Sequence, residues 1–122
     1  MTDNFTISVV DDDESIRKSL GSLLKSLGHT VELFSSAEKF LSSEATAKSD
    51  CLILDVRMPG MSGPELQRQL KNRGLMAPII FITAHSDAEV IARVMKDGAV
   101  DCLLKPFGEE PLLKAISRAL SG

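Results

Sequence analysis

Five short apolar runs alternate with helical patterns along the chain, and this alternation limits the folds that it can adopt. The length and β-branched content of the runs are typical of strands. The runs are T-I-S-V-V (6–10), T-V-E-L-F (30–34), C-L-I-L (51–54), I-I-F-I-T (79–83) and C-L-L (102–104). The runs around Leu52 and Ile80 are apolar throughout, as in central strands covered on both faces, whereas 30–34 alternates like an edge strand.

The segments between the runs carry helical patterns, in which apolar residues recur every three or four positions. Between Asp13 and Gly28, for example, isoleucine and leucine return at that spacing, and the glycine can end the helix. The other helices are predicted to begin near a capping residue or a proline: Ser35 or Ser36, Pro64, Ser86 or Asp87, and Pro111. The polar stretch 42–50 is predicted to be a surface connection.

Strands that alternate with helices along a chain form a parallel sheet with helices on both faces. The usual solution for five strands is the flavodoxin-like order 2-1-3-4-5. The length of 122 residues suits one domain. The sequence therefore predicts a single α/β domain over residues 1–122, with a doubly wound (βα)5 sheet.

The bulk properties exclude several classes of function. The formal net charge of -3 provides no basic surface for nucleic acid or anionic lipid. No apolar stretch approaches the roughly 18 residues of a membrane span, and the N-terminus M-T-D-N-F-T is not a signal peptide. Cys51 and Cys102 lie inside apolar runs, so we expect reduced core residues of a cytoplasmic protein rather than a disulfide.

Charged and hydroxyl side chains follow four of the five predicted strands. They are Asp11, Asp12 and Asp13 after the first run, Asp55 after the third, Thr83 at the end of the fourth and Lys105 after the fifth. Because the carboxyl ends of parallel strands meet at one edge of the sheet, we expect these side chains to share one cleft. Each also has an ordinary explanation on its own, and Asp13 and Glu14 are expected only to cap a helix.

Such a cleft suits phosphoryl transfer to a carboxylate. Crowded carboxylates repel one another, and Mg²⁺, which prefers oxygen ligands, relieves this repulsion. Zinc is not expected, because the predicted cleft has no cluster of histidine or cysteine residues to bind it. The Lys105 ammonium and the Thr83 hydroxyl can donate hydrogen bonds to phosphate oxygens. A carboxylate can itself be the nucleophile and become an aspartyl phosphate.

Four motifs occur in the order and at the spacing of a known family. They are V-V-D-D-D-E-S (9–15), L-D-V-R-M-P-G-M-S-G (54–63), I-T-A (82–84) and K-P-F (105–107). With these motifs the sequence resembles the receiver domain of response regulators in two-component signalling, over essentially the whole chain. The M-P-G-M-S-G wording is most similar to receivers of transcriptional regulators with helix-turn-helix output domains. From the composition of this loop, we expect Gly60 and Gly63 to permit turns that a side chain would forbid. In the family, the peptide bond before the proline of the K-P motif is typically cis.

The resemblance implies a role for each residue of the cleft. It makes Asp55 the phosphoacceptor, with Thr83 and Lys105 in contact with the bound phosphoryl group. The implied ligands of Mg²⁺ are Asp11, Asp12, Asp55 and the backbone carbonyl of Arg57. The phosphoryl donor in such systems is a phosphohistidine on a sensor histidine kinase. A receiver of this kind catalyses only its own phosphorylation and dephosphorylation.

The chain departs from the family at one position of the switch. Receivers usually carry an aromatic residue three positions before the lysine, and it swings inward as the threonine moves. Here that position is Cys102, and the chain has no Tyr or Trp. Arg57 and His85 stand where family members line the mouth of the site, so we expect both to influence the rate of phosphoaspartate hydrolysis.

The resemblance also implies partners. In the family, the face formed by the fourth helix, the fifth strand and the fifth helix reads out activation, often as a homodimer. Here this face would include the helix 87–97 and the strand 102–104, although an ordinary amphipathic helix explains the same pattern. No DNA-reading element lies within the chain, so this chain alone is not expected to bind DNA. It could be a complete single-domain regulator or the N-terminal part of a two-domain transcription factor. The wording of the motifs favours the latter, in which DNA is bound through an output domain beyond Gly122.

Three other functions fit the same architecture. A magnesium phosphohydrolase would use Asp55 as its nucleophile, but it commonly has an acid two residues later, where this chain has Arg57. A flavin-binding module would need an aromatic sandwich and a cleft that does not repel the flavin phosphate. A pseudo-receiver would lack one of the acids or the lysine, and this chain has them all.

Overall fold

The computed structural model describes residues 4–121, and its strands alternate with helices from end to end. The elements are β1 (Thr6–Val10), α1 (Glu14–Ser26), β2 (Thr30–Phe34), α2 (Ala37–Leu41), α3 (Ala45–Lys48), β3 (Cys51–Asp55), α4 (Gly63–Asn72), β4 (Ile79–Thr83), α5 (Ala88–Lys96), β5 (Asp101–Leu104) and α6 (Glu109–Ser121). The runs 6–10, 30–34 and 79–83 form strands with the predicted bounds. The other two strands are each one residue longer than predicted, and they include Asp55 and Asp101.

The sheet has the order β2-β1-β3-β4-β5, and all four pairings are parallel. This order confirms the flavodoxin-like α/β prediction and puts the half-exposed strand β2 at an edge. The register aligns the carboxyl ends of the strands, since Val10 pairs with Leu54, Asp55 with Ile82, and Thr83 with Leu104. The residues that follow β1, β3 and β5 therefore leave the sheet at the same edge.

Side chains alternate between two apolar layers, one on each face of the sheet. In β3, Leu52 and Leu54 pack in the layer that contains Phe40 of α2 and Val94 of α5. Residues 51 and 53 pack in the other layer, with residues of α1 and α6. Both β3 and β4 are buried along their whole length. Each fully buried leucine or isoleucine contributes about 1.5–3 kcal/mol to folding, so these two strands carry much of the stability.

Most helices begin at the predicted capping residues. The structure differs from the prediction at the start of the last helix and in the connection 42–50. Asp13, Ser36 and Asp87 cap α1, α2 and α5 through their side chains. The last helix begins at Glu109, two residues before the predicted start, because proline is tolerated throughout the first turn of a helix. The connection 42–50 contains the one-turn helix α3, which is too short to leave a periodic pattern.

Two further expectations concern the cysteines and the membrane. Cys51 and Cys102 are both free thiols; Cys51 is buried in β3, whereas Cys102 on the edge strand β5 is only partly buried. Within residues 4–121, none of the helices has both the length and the apolar character that crossing a bilayer requires.

Candidate functional site

Three carboxylates converge at the carboxyl edge of the sheet. Asp11 and Asp12 follow β1, Asp55 ends β3, and one oxygen of each lies within 4.8 Å of the others. Asp11 is fully buried and Asp55 is 6% exposed, whereas Asp12 is open to solvent. Buried carboxylates are rare without a cationic partner, so this cluster is a candidate functional site.

The buried Asp11 is held on both its side chain and its backbone. Its Oδ1 accepts a hydrogen bond of 2.9 Å from the backbone N–H of Asp13, the cap of α1. Its carbonyl accepts one of 2.7 Å from Nη1 of Arg17, in the first turn of α1. Sequence reasoning did not identify Arg17, because an arginine inside a helix carries no sign of the carbonyl that it reaches.

Lys105, which follows the edge strand β5, provides a cation beside the carboxylates. Its Nζ lies 3.0 Å from Oδ2 of Asp11 and 3.6 Å from Oδ1 of Asp55. Burial lowers the pKa of Lys105, but the two carboxylates more than offset this effect and raise it above its ordinary value. The Lys105 ammonium is therefore charged at neutral pH. The peptide bond from Lys105 to Pro106 is cis.

The acidity of the Asp55 carboxyl is strongly altered by its surroundings. Burial, and then the negative charge of Asp11, raise the pKa of Asp55 from 3.8 to about 7, against the opposing effect of Lys105. The charge on Asp55 is costly because the side chain is buried and Asp11 lies beside it, and Lys105 offsets this cost only in part. A second cation near these oxygens would relieve that cost.

Thr83 ends β4 and Arg57 follows β3, and each has a polar partner outside the three carboxylates. In β4, Ile82 packs with the α1 and α6 layer, so the alternation of the strand puts Thr83 toward the opposite face. The Thr83 hydroxyl accepts a 3.1 Å hydrogen bond from the backbone N–H of His85 and also lies 3.3 Å from the carbonyl of His85. The Arg57 guanidinium is 4.0 Å from the Asp87 carboxylate, and both side chains are largely exposed.

The loop between β3 and α4 turns sharply beside Asp55. Ser62 caps α4 in a reciprocal pair of hydrogen bonds with Glu65. Gly60 has the positive φ expected of a turn glycine, but Gly63 does not. Gly63 is the first residue of α4, and a side chain there would collide with the backbone carbonyl of Asp55. Its lack of a Cβ therefore permits a close approach rather than a turn.

The donor set fits a hard divalent cation. Mg²⁺ binds oxygen ligands at about 2.0–2.1 Å and usually keeps several waters, so it needs only one or two carboxylates from the protein. Asp11, Asp12 and Asp55 offer three carboxylate oxygens close together, one of them at the surface where an ion can enter. The spacing and the chemistry of the three acids are both suitable.

In the absence of metal, the stability of the protein is expected to fall as the pH rises from about 4.5 to 7. Between 3.8 and about 7 the folded chain binds more protons at Asp55 than the unfolded chain does. The stabilisation from the protonated carboxyl is thus complete at low pH and is lost through pH 7, by at most about 1.4 kcal/mol per pH unit. Urea unfolding in EDTA at several pH values measures this loss.

The Asp55→Asn variant is the control for this titration. An asparagine does not titrate, so the difference in unfolding free energy between the two proteins should change with pH in this window. The lowered pKa of Glu38 acts in the opposite direction, but below the window and equally in both proteins. Parallel pH profiles for the two proteins would contradict the altered acidity of Asp55.

Comparison with known proteins gives consistent results. The family profile described as "Response regulator receiver domain" matches residues 7–117. Response regulator protein TodT of Pseudomonas putida is 51% identical over 114 residues, which are 93% of this chain and 50% of TodT. Transcriptional regulatory protein FixJ of Rhizobium meliloti is 43% identical over 119 residues, which are 98% of this chain and 58% of FixJ.

A solved structure shows the same fold at high identity. The response regulator StyR superposes with a TM-score of 0.88 at 50% identity, covering 95% of this chain and 59% of the StyR chain. The chain thus spans about half the length of the curated relatives that it matches. The four motifs, the strand order and these matches agree, and the chain belongs to the receiver domains of response regulators in two-component systems.

Proposed function

We propose that the chain is a phosphorylation-activated switch in which Asp55 accepts a phosphoryl group with the help of Mg²⁺. The observation that carries the proposal is the convergence of the Asp11, Asp12 and Asp55 carboxylates with the Lys105 ammonium, 3.0 and 3.6 Å from two of them. These groups come from the ends of three strands, and only the fold brings them together.

The transfer is a displacement at phosphorus. A carboxylate oxygen of Asp55 forms the new O–P bond as the bond from phosphorus to the donor breaks, and the donor leaves with that electron pair. The reaction needs Asp55 unprotonated, so the charges around it decide the rate. Lys105 is placed to offset the charge on the phosphoryl oxygens, because its ammonium can donate a hydrogen bond to one of them in place of Asp11 or Asp55.

Asp11, Asp12, Asp55 and the backbone carbonyl of Arg57 would hold the Mg²⁺ ion. When bound, the ion supplies positive charge that offsets both the crowded carboxylates and the incoming phosphoryl group. Arg17 and Asp13 fix the position of Asp11 for this role through the two hydrogen bonds described above. Asp11 is thus held in place before any ion binds.

Thr83 is the residue through which phosphorylation changes the conformation. To donate a hydrogen bond to a phosphoryl oxygen, its hydroxyl must leave the carbonyl of His85. That exchange draws the loop after β4 toward Asp55 and favours one of two arrangements of the loops. Cys102 takes the place of the usual aromatic residue, so the switch of this chain works without an aromatic swing.

The partners follow from the family. A sensor histidine kinase supplies the phosphoryl group from a phosphohistidine, and the chain catalyses only its own phosphorylation and the hydrolysis that reverses it. The face formed by α5, β5 and α6 carries the output, as a homodimer after activation; Met95 and Leu104 are exposed on its elements. A domain outside this chain binds DNA and regulates transcription.

Incubation with acetyl phosphate and Mg²⁺, followed by intact-mass measurement, tests the proposal. We expect one phosphoryl group per chain, with an adduct that is stable in acid and labile in base, because an acyl phosphate is readily cleaved by nucleophiles. The same incubation in EDTA should give no adduct. The expected result therefore depends on both the phosphodonor and the metal.

The other outcomes separate the alternative functions. Continuous consumption of many equivalents of acetyl phosphate without a persistent adduct would contradict the switch and favour a phosphohydrolase. If neither metal nor phosphodonor changes the mass or the metal-dependent stability, the chain is a pseudo-receiver and the proposal is wrong.

A further inference from the structure

The loop of residues 56–62, between Asp55 and α4, is held by backbone hydrogen bonds at its two ends. The backbone N–H of Val56 donates to the carbonyl of Ile82, and that of Gly63 donates to the carbonyl of Val56, both at 3.0 Å. The Met58 side chain is buried in the core. At the tip of the loop, residues 59–61, the partly buried Met61 side chain packs against the same core, and the backbone N–H of Met61 has a hydrogen-bond partner outside the loop.

A carboxylate from a different element supplies that partner. Oε2 of Glu38, on the short helix α2, accepts a hydrogen bond of 2.8 Å from the backbone N–H of Met61. Within residues 4–121, Glu38 is the one side chain from outside the loop and α4 that hydrogen-bonds to the backbone of the loop. The bond joins residues that are 23 positions apart, so it fixes α2 and the loop relative to each other.

Gly60 lies against the same carboxylate and leaves no room there for a side chain. A Cβ at Gly60 would lie 2.5 Å from Oε2 of Glu38, so the carboxylate occupies the space of the missing side chain. The hydrogen bond from Met61 lowers the pKa of Glu38, and the carboxylate therefore stays ionised at neutral pH. An ionised acceptor makes a stronger hydrogen bond to a backbone N–H than a neutral one does.

We propose that Glu38 is a positioning residue for the phosphoryl site and acts by holding the tip of the loop that follows Asp55. The inference deepens the proposed function and rests on it, since that loop carries the Arg57 carbonyl proposed as a ligand of Mg²⁺. Glu38 touches neither the ion nor the phosphoryl group. Its effect should therefore appear in the affinity for Mg²⁺ and not in the transfer step itself.

The Glu38→Ala variant tests this separation. We expect its dissociation constant for Mg²⁺ to rise by about tenfold, because the loop that carries the Arg57 carbonyl is then less well preorganised. Phosphorylation by acetyl phosphate should be slower at limiting Mg²⁺ but should reach the wild-type rate at saturating Mg²⁺. In metal-free protein, the amide proton of Met61 should exchange faster with solvent. Circular dichroism checks that the variant is folded.

Two matched variants accompany it. Glu38→Gln keeps an oxygen acceptor for the N–H of Met61, so it should restore most of the Mg²⁺ affinity. Glu44→Ala removes another exposed carboxylate, which among residues 4–121 pairs with Lys48 alone, and it should behave like the wild type. Equal losses in Glu38→Ala and Glu44→Ala would assign the effect to net charge and overturn the positioning role.

A double-mutant cycle tests the contact without any metal. Gly60→Ala should lower the urea midpoint more than Gly74→Ala does. Gly60 (φ 77°) and Gly74 (φ 74°) share a positive φ that would strain an alanine equally, but a carboxylate lies beside Gly60 and nothing lies within 4 Å of a Cβ at Gly74. Adding Glu38→Ala to Gly60→Ala should then cost less than it costs in the wild type. Additive shifts would mean that the two residues do not interact.

The two failures are distinguishable. If the wild type takes up no phosphoryl group, the proposed function fails. If the wild type is phosphorylated while Glu38→Ala keeps its Mg²⁺ affinity and its Met61 exchange rate, the positioning role alone is overturned.

Discussion

Asp55→Asn is expected to take up no phosphoryl group from acetyl phosphate under conditions that phosphorylate the wild type completely. The amide has no anionic oxygen to form the bond to phosphorus, and no other carboxylate of the cluster has the same place at the end of β3. The variant should remain folded, because the change removes a buried charge that Asp11 disfavours. Its metal-free stability at pH 8 should exceed that of the wild type by about 1–2 kcal/mol.

Asp13→Asn is the matched control for this experiment. Asp13 lies at the same edge of the sheet, but its carboxylate caps α1 by accepting hydrogen bonds from the N–H groups of Ser15 and Ile16. Asparagine caps a helix as well as aspartate does, so this variant should be phosphorylated like the wild type. An adduct that persists in Asp55→Asn and disappears in Asp13→Asn would contradict the assignment of the phosphoacceptor.

The fold could be predicted because its determinants are local. A few neighbouring positions are enough to show the length of each strand, the uninterrupted apolar runs of β3 and β4, and the residues that cap the helices. The rules of parallel sheets then leave few strand orders to consider. The one-turn helix α3 was missed because its four residues owe their shape to hydrogen bonds with neighbours such as Ser43, and not to any period.

The charged part of the candidate site could be predicted for a related reason. Asp11, Asp55 and Lys105 each end or follow a strand, so the register of the sheet decides that they meet. Two structural supports could not be predicted in this way. Arg17 donates a hydrogen bond to a backbone carbonyl, and Glu38 accepts one from a backbone N–H that is 23 residues away. Every residue has a backbone carbonyl and nearly every residue a backbone N–H, so the sequence does not reveal which residue is the partner.

Gly63 shows how the correct residue can be selected for the wrong physical reason. The composition of the loop predicts a turn glycine at this position, but Gly63 does not have a positive φ. The tight packing that excludes a side chain involves the backbone of Asp55 and the ring of Phe81, which the sequence around Gly63 does not reveal. Only the packing of α4 against β3 and β4 identifies the constraint.

Gly63→Ala is therefore expected to be one of the most damaging single changes in the chain. Its Cβ would fall well inside van der Waals contact with the Asp55 carbonyl oxygen and 3.0 Å from Cε1 of Phe81. Neither neighbour can move easily, since β3 is buried along its length and Phe81 is fully buried. We expect a loss of about 2–3 kcal/mol in the free energy of unfolding by urea. Because the displaced group is the backbone of Asp55, Mg²⁺ should also bind more weakly.

Gly21→Ala provides the comparison that separates this contact from the general effect of a methyl group. Gly21 is also a helical glycine, but its Cβ would meet Cδ1 of Leu33 at 3.3 Å, at the end of a flexible and 39% exposed side chain. Alanine favours the helix by about 1 kcal/mol over glycine, which offsets the small displacement of Leu33. The stability of Gly21→Ala should thus stay within about 1 kcal/mol of the wild type, with unchanged Mg²⁺ affinity. If Gly63→Ala proved equally mild, the start of α4 would have to be free to move away from β3, and Glu38 at the loop tip would then have little rigid structure to hold.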